Sequence, residues 1–127
     1  MTIRYRIYRL LLIVFMSSIY STNSFSKCAY INIRYDDGQT ISAKIVVVKN
    51  TICTQTTWGG EGQLGYDFPV RPKNGQVASA SVYEWAYRPR KDFVGHDQFK
   101  MVSKWLYRGK NSRAFIEWDV EVVERLP

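Results

Sequence analysis

The chain of 127 residues carries 18 Lys and Arg against 11 Asp and Glu, which gives a formal net charge of +7 at pH 7. Its 46% hydrophobic and 15% aromatic residues exclude a disordered chain, and its 23% charged residues exclude a polytopic membrane protein. A chain of this length is expected to form one folded domain. Because it has only one His and two Cys, we expect that domain to be non-catalytic, with no cofactor and no metal.

The first 26 residues have the composition of a secretory signal peptide. Three arginines within the first nine residues form a positive segment, an apolar run follows at 10–16, and residues 24–26 offer a small-x-small cleavage site. The apolar run is well short of the ~20 residues that span a bilayer. We therefore expect an exported protein, periplasmic or secreted, with no stable membrane span after cleavage.

Part of the positive charge belongs to this leader. Without its three arginines, 15 basic residues face 11 acidic ones, so residues 27–127 carry +4. Nucleic-acid binding would require a concentrated basic stripe with stacking aromatics, and export removes the chain from the compartment of nucleic acids, so we expect no nucleic-acid partner. The basic residues cluster at Arg88, Arg90 and Lys91 and again at Lys104, Arg108, Lys110 and Arg113. These clusters are either solvated loop charge or a weak patch for an anionic partner.

The two cysteines, Cys28 and Cys53, are expected to form a disulfide. An exported chain meets an oxidising compartment, where pairing is more common than metal binding or nucleophilic chemistry. The bridge would close a loop of about 25 residues and contribute roughly 3 kcal/mol through its effect on the unfolded chain. A catalytic cysteine would need a histidine partner, and the chain contains only His96.

The first half of the region after the leader is typical of β-strands. Predicted strands cover 29–35, 40–49, 51–58 and, with weak pairing, 63–70, separated by turn signals at 36–38 and 59–62. The first two strands should form a hairpin. The second places Ile41, Ala43, Ile45 and Val47 on one face at a period of two, so this face is expected to lie in the core.

The second half repeats this pattern more clearly. Predicted strands cover 76–80, 82–87, 98–107 and 114–124, with Pro89 ending the second and a six-residue connection at 108–113 before the last. Expected core residues are Phe99, Met101 and Trp105 in one strand and Ile116, Trp118, Val120 and Val122 in the next. The solvent-facing side of the first of these strands carries lysines, and that of the second carries acids, which predicts cross-strand ion pairs.

About seven short strands with turn signals every eight to twelve residues predict an all-β fold. An antiparallel β-sandwich accounts for two sets of inward-facing residues, and a small barrel is the alternative. No stretch has the 3.6-residue period of a helix. We expect residues 27–127 to form a single domain.

A spaced motif in the second half carries a family resemblance. Residues 72–77 read Pro-Lys-Asn-Gly-Gln-Val, and residues 87–99 contain Tyr87, Pro89, Phe93, Gly95, Asp97 and Phe99 at the spacing Y-x-P-x-x-x-F-x-G-x-D-x-F. This arrangement, with the hairpin after it, resembles the bacterial immunoglobulin-like and cadherin-like modules of exported proteins. The resemblance covers residues 72–123. It implies an immunoglobulin-like sandwich that acts as an adhesive, spacer or partner-binding unit for an envelope or surface protein.

The residue types of the motif suit a strand, a turn and a second strand. Pro89 ends a strand, and Gly95 can adopt a positive φ that is strained for other residues. Phe93 and Phe99 are expected to close the end of the core. Asp97 is expected to accept hydrogen bonds from the backbone amides of the turn.

Asp97 is also the most tempting calcium ligand, because some relatives of this class bind calcium between modules. Calcium takes six to eight oxygen ligands, and Asp92 is the only other carboxylate nearby in sequence. We therefore expect a structural role for Asp97. His96 is expected to be an exposed loop residue.

Two alternative functions use other residues. Trp58, Trp85 and Trp105, with Tyr66 and Tyr83, would serve a carbohydrate-binding module if they faced a glycan from the surface, but large aromatic side chains also dominate small cores. The acid pairs Asp36 with Asp37 and Glu117 with Asp119 would serve a hydrolase, but neither has the opposed geometry that acid and base catalysis requires. The preferred hypothesis is a non-catalytic exported module with a protein partner.

Overall fold

The computed structural model describes residues 28–30, 33–57 and 62–127. This part of the chain is all-β and contains no helix, so no helix in it is long and apolar enough to cross a bilayer. The strands are β1 (Cys28–Tyr30), β2 (Thr40–Val48), β3 (Cys53–Thr56), β4 (Gln63–Val70), β5 (Gly75–Ser79), β6 (Glu84–Pro89), β7 (Gly95–Tyr107) and β8 (Lys110–Val123). The leader predicted at 1–26 lies outside the described residues.

The strands form two sheets that enclose the core between them. A five-stranded sheet has the order β1-β2-β8-β7-β4, and a three-stranded sheet has the order β3-β6-β5. The predicted all-β, two-sheet sandwich is therefore confirmed, with eight strands in the described residues where about seven were expected.

One strand pair departs from the expected antiparallel arrangement. β2 runs parallel to β8, from Thr40 opposite Phe115 to Val48 opposite Val123, while the other pairings are antiparallel. A parallel pair needs a long crossover, which β3 to β7 supply here. The period-two pattern shows which face of a strand is buried but not the direction of its neighbour, so the prediction was wrong at this pair.

The hairpin between β7 and β8 is tighter than expected. Arg108 and Gly109 alone form the turn, and their positive φ angles of 50° and 74° are those of a type I′ turn, whose twist suits adjoining antiparallel strands. The predicted connection at 108–113 is wrong because its polar residues continue the alternation of β8. Ser112 points inward and is buried, whereas Asn111 and Arg113 are exposed.

The first predicted strand is shorter than expected. Only Cys28–Tyr30 pairs with β2, where 29–35 was predicted. By residue 33 the chain has left the sheet, and Tyr35 inserts its ring into the core and its hydroxyl close to Ser103 Oγ, at 2.9 Å. The side chain of Tyr35 therefore belongs to the core, although its backbone lies in a loop.

The inward faces of β2, β7 and β8 are those predicted from the period-two pattern. Buried there are Ile45, Val47, Phe99, Met101, Trp105, Ile116, Trp118, Val120 and Val122. The small sheet adds Trp85 and Tyr87, which meet Phe99 and Trp118 at the centre of the sandwich. Ring centroids are 5.0 Å apart for Trp85 and Trp118, and Tyr87 stacks on Phe99 with an interplanar angle of 7°. This aromatic cluster joins the two sheets.

The disulfide between Cys28 and Cys53 is confirmed. It joins β1, at an edge of the large sheet, to β3, at an edge of the small sheet, with 5.6 Å between the two Cα atoms. A covalent link between edge strands of opposite sheets limits how far they separate and reduces the freedom of the unfolded chain.

The outer face of the large sheet carries three ion pairs, of which Lys100 with Glu117 is of the kind predicted between the last two strands. Lys100 lies 3.7 Å from Glu117, Lys44 lies 3.0 Å from Glu121, and Lys104 lies 2.9 Å from Asp67. These side chains are largely solvent-exposed, so each pair contributes at most about 1 kcal/mol to stability. The pairs leave this face close to electrically neutral.

Candidate functional site

The motif residues meet in space around the carboxylate of Asp97. Asp97 is 5% exposed and is the one charged side chain that is buried in the described part of the chain. Its Oδ2 accepts from the Tyr87 hydroxyl at 2.8 Å and from the Asn74 amide at 3.1 Å, and its Oδ1 accepts from the amides of Lys73 at 3.1 Å and Gln98 at 2.9 Å. We call these five residues the Asp97 node.

The Asp97 node links β7 of the large sheet to the turn between β4 and β5, which leads into the small sheet. Asp97 was expected to accept bonds from amides of its own turn, but two of its amide donors, Lys73 and Asn74, belong to the connection between β4 and β5. Burial, followed by the hydrogen bond to Asp97, raises the pKa of the Tyr87 hydroxyl, so this group stays protonated and remains a donor. Both carboxylate oxygens are therefore engaged by protein donors.

Two glycines allow the chain to approach the node closely. Gly95 has a φ of 143°, as its place in the motif predicts, and a Cβ there would lie 3.2 Å from the Phe93 ring. A Cβ on Gly75 would lie 2.6 Å from the Arg88 carbonyl oxygen and 2.8 Å from the Tyr87 hydroxyl oxygen. Glycine at residue 75 is therefore required for Tyr87 to reach Asp97.

Pro89 ends its strand as expected, whereas Phe99 lies within the aromatic cluster of Trp85, Tyr87 and Trp118 and does not close the end of the core. Phe93 is half-buried against the core, Phe99 is buried within it, and Pro89 is the last residue of β6. His96 is exposed, although it lies on β7 and not in a loop.

A basic concavity lies beside the node. Its volume is about 500 Å³, and it is lined by Asn50, Lys73, Gly75, Gln76, Arg88, Pro89, Arg90 and Lys91. Three connections converge on it: the turn after β2, the turn between β4 and β5, and the segment that follows β6. We use the name basic concavity for this group of residues.

Hydrogen bonds fix the connections that form the basic concavity. Asn50 donates from Nδ2 to Asp92 Oδ1 at 3.1 Å and accepts at Oδ1 from the Asp92 amide at 2.8 Å. The Arg90 amide donates to the Asn74 carbonyl at 2.7 Å, and Arg88 donates to Gln76 Oε1 at 2.9 Å. The backbone around the concavity is thus held by contacts within the protein.

The cations of the concavity differ from four lysines elsewhere in the chain. Lys44, Lys49, Lys100 and Lys104 each pair with an acid. Within the residues that the structure describes, Lys73, Arg88, Arg90 and Lys91 form no ion pair. Arg90 lies instead over the Phe93 ring, 5.4 Å from its centroid. Four positive charges therefore surround one concavity without acidic partners of their own.

Sequence reasoning found only part of this group. Arg88, Arg90 and Lys91 are adjacent in sequence, but Lys73 and Asn50 reach the concavity only through the fold. The second predicted cluster does not act as one patch. Lys104 pairs with Asp67, while Arg108 and Arg113 cover the rings of Tyr107 and Phe115.

The tryptophans proposed to face a glycan do not do so where they are described. Trp85 is 0% exposed and Trp105 is 3% exposed, because both lie on the inward side of their strands. Trp85 also donates to Thr57 Oγ1 at 2.9 Å within the core. The expectation of ligand-facing rings is wrong for these two residues, and Trp58 lies outside the described residues. Tyr83 is 55% exposed, and Tyr66 is buried.

A buried polar cluster lies at another part of the core and was not anticipated. The Tyr35 hydroxyl and Gln63 Nε2 both approach Ser103 Oγ, at 2.9 Å and 3.1 Å, and the carbonyls of Thr57 and Tyr83 both lie within hydrogen-bond distance of the Tyr66 hydroxyl. Burial raises the pKa of Tyr35 to about 12. Tyr35 and Gln63 bond to Ser103 of β7, while Tyr66 connects β4 to Thr57 and Tyr83; Gln63 Oε1 has no partner.

The acid pairs considered for hydrolysis lie elsewhere. Asp37 accepts a hydrogen bond from the Arg113 amide at 2.9 Å. Glu117 and Asp119 line a concavity of about 320 Å³ on the outer face of the large sheet, where Glu117 pairs with Lys100. In the described ranges, no three or more His, Cys, Asp or Glu side chains come together as a metal site would require.

The fold and the site together define an all-β, disulfide-linked sandwich with a basic concavity at one end. No protein-family model matches the chain, and no curated protein is similar to it in sequence.

Proposed function

We propose that the protein is a non-catalytic, exported immunoglobulin-like module that binds a protein partner at the cell envelope or surface. The observation that carries the proposal is the Asp97 node. Residues that resemble the family motif converge on one buried carboxylate and hold together the loops at one end of the sandwich. Rigid loops at the end of a sandwich are a common platform for protein recognition.

The immunoglobulin-like assignment is supported by the architecture. Two sheets pack face to face, and the region after the motif is a long hairpin, β7 with β8, as the resemblance implies. Gly75 belongs to the P-x-x-G-x-V segment and has the close contact with Tyr87 that explains a glycine there. The motif thus has a physical basis in this chain that does not depend on the resemblance.

Export is supported by two independent features. The first 26 residues have the charge and apolar pattern of a signal peptide. The Cys28–Cys53 disulfide suits an oxidising compartment, such as the periplasm or the cell exterior.

A role in binding, not in chemistry, is supported by how the titratable groups are used. Asp97 and Tyr87 are committed to each other and to backbone amides, and three acids of the large sheet, Asp67, Glu117 and Glu121, are paired with lysines. The burial of Trp85 and Trp105 removes the main support for glycan binding, so the protein partner remains the better hypothesis.

The proposal is tested by expressing the full chain with a carboxy-terminal tag in bacteria and isolating it from the envelope and medium. We expect a processed, disulfide-bonded protein that retains one defined envelope protein and binds it saturably after both are purified. A bait that is shown to be folded by its near-UV circular dichroism but retains no partner would contradict the proposal. Turnover of a peptide or peptidoglycan substrate would contradict its non-catalytic part.

A further inference from the structure

We infer that the basic concavity binds a carboxylate-rich segment of a partner protein, with Lys73, Arg88, Arg90 and Lys91 contacting its acidic side chains. This inference rests on the proposed function, because it assigns a surface and a partner chemistry to the same module. It predicts that recognition at this end of the sandwich is electrostatic.

The first support is the charge of the concavity. Lys73, Arg88, Arg90 and Lys91 line one volume of about 500 Å³ and have no ion pairs among the described residues. The nearest acid in sequence, Asp92, is hydrogen-bonded to Asn50. Like charges gathered around a concavity repel one another and produce a positive potential, which an anionic ligand would relieve.

The second support is that the concavity is formed before any ligand arrives. Asn50 and Asp92 exchange two hydrogen bonds across 42 residues of sequence, and Arg90 is bonded to Asn74 through the backbone. Asp97 holds the amide of Asn74 from the other side. A backbone that is already fixed loses little conformational entropy on binding, which favours affinity.

The third support is the spacing of the arginines. Arg88 lies on β6 and Arg90 comes directly after its last residue, and both side chains are exposed. Residues i and i+2 of an extended chain are about 6.6 Å apart, so acids at alternate positions of an extended peptide have a similar spacing. Arginine also binds carboxylates through two parallel hydrogen bonds. An extended segment with acids at alternate positions therefore fits this pair.

The shape favours a protein segment over a membrane surface. A volume of about 500 Å³ lies in the range of sites that enclose a ligand, and it exceeds what one small ion would fill. Gln76 adds the neutral nitrogen of its side-chain amide to the lining, which suits a peptide carbonyl. A lipid headgroup layer would contact projecting cations more readily than cations around a concave surface.

The test uses the purified, disulfide-bonded protein and a fluorescent peptide, Gly-Glu-Thr-Glu-Thr-Glu-Gly, followed by anisotropy at low and at physiological salt. The concavity variant is Arg88→Glu with Arg90→Glu. The matched control is Arg34→Glu with Lys110→Glu, which changes net charge equally at two exposed residues outside the concavity. We expect the control to bind within about twofold of the wild type and the concavity variant to bind at least about tenfold more weakly.

A second variant protects the test against loss of folding. Arg88→Gln with Lys91→Gln keeps Arg90 over the Phe93 ring and should still weaken binding by several-fold. The same peptide with glutamine in place of glutamate should not bind, and binding should weaken as salt increases.

Several results would overturn the inference. These are no peptide binding by the wild type, equal loss in both charge-reversed variants, or binding only to phosphatidylglycerol vesicles. If the envelope partner bound the wild type and the concavity variant equally, the inference would fail while the proposed function stood. If the folded wild type retained no partner, the proposed function itself would fail.

Discussion

The substitution Asp97→Asn tests the Asp97 node most closely. The carboxylate accepts two hydrogen bonds at each oxygen, from Tyr87, Asn74, Lys73 and Gln98. Asparagine keeps one acceptor oxygen and turns an NH2 group toward two donors, so two bonds to a charged acceptor are lost. Bonds of this kind contribute about 1.5–3 kcal/mol each. Because water can reach the amides of Lys73 and Asn74 in part, we expect a loss of about 3 kcal/mol in the free energy of unfolding.

That loss is measured by urea unfolding of the disulfide-bonded protein, followed by tryptophan fluorescence. Tyr87→Phe removes only one of the four bonds and should cost about 1.5 kcal/mol, and the double variant should cost less than the sum because the two residues share that bond. Asp92→Asn is the matched control. Its φ of 62° is one that asparagine tolerates, so its effect should stay within about 0.5 kcal/mol. An Asp97→Asn protein as stable as this control would refute the assigned role.

Three further predictions follow from the fold. Replacing Cys28 and Cys53 with serine should lower the free energy of unfolding by about 3 kcal/mol, measured by urea unfolding against wild type with and without reductant; equal stability of the oxidised and serine proteins would contradict it. Gly75→Ala should destabilise the protein by about 2 kcal/mol or more in thermal unfolding, because its Cβ would lie 2.6 Å from a backbone oxygen. Gly109→Ala is the control: its Cβ would meet no atom within 4 Å, so only the smaller strain of its positive φ should appear. The pKa of Tyr35 is raised to about 12 in the folded state, whereas the unfolded chain loses this proton near pH 10. The contribution of Tyr35 to stability should therefore be complete below pH 10 and fall between pH 10 and 12 by up to about 1.4 kcal/mol per pH unit. Tyr35→Phe should reduce that slope without abolishing it, because the pKa values of Tyr66 and Tyr87 are also raised by burial, and an unchanged slope would contradict the assignment.

The parts of the fold that the sequence predicts are those governed by local alternation. Ile116, Trp118, Val120 and Val122 repeat every second residue, and the structure buries all four. The same pattern predicts lysine–acid pairs across the outer faces of the last two strands, and Lys100 meets Glu117 there. The sequence predicts a half-buried strand because alternate side chains pack in the core and face water.

The pairing of distant strands depends on contacts that a local pattern does not encode. β2 has the expected inward face, but its parallel pairing with β8 joins residues about 75 positions apart. Tyr35 looked like the end of a strand and proved to be a loop residue whose ring enters the core. In both cases, packing at long range decided the outcome.

The candidate site shows the same division. Gly95 and Asp97 were expected in structural roles from the motif, and the structure shows a positive φ at one and four accepted hydrogen bonds at the other. In the sequence, the only sign of the basic concavity is the group of three neighbouring cations Arg88, Arg90 and Lys91. Lys73 and Asn50 join them because two separate turns meet there.

The most direct test of the proposed function is photocrosslinking in intact cells that produce the full chain. A photoreactive phenylalanine derivative replaces Gln76, which lines the basic concavity, or Thr54, which is exposed on the same small sheet. The account predicts a light-dependent adduct between the Gln76 variant and one defined envelope or surface protein. The absence of an adduct at both positions, from an exported and disulfide-bonded protein, would contradict it.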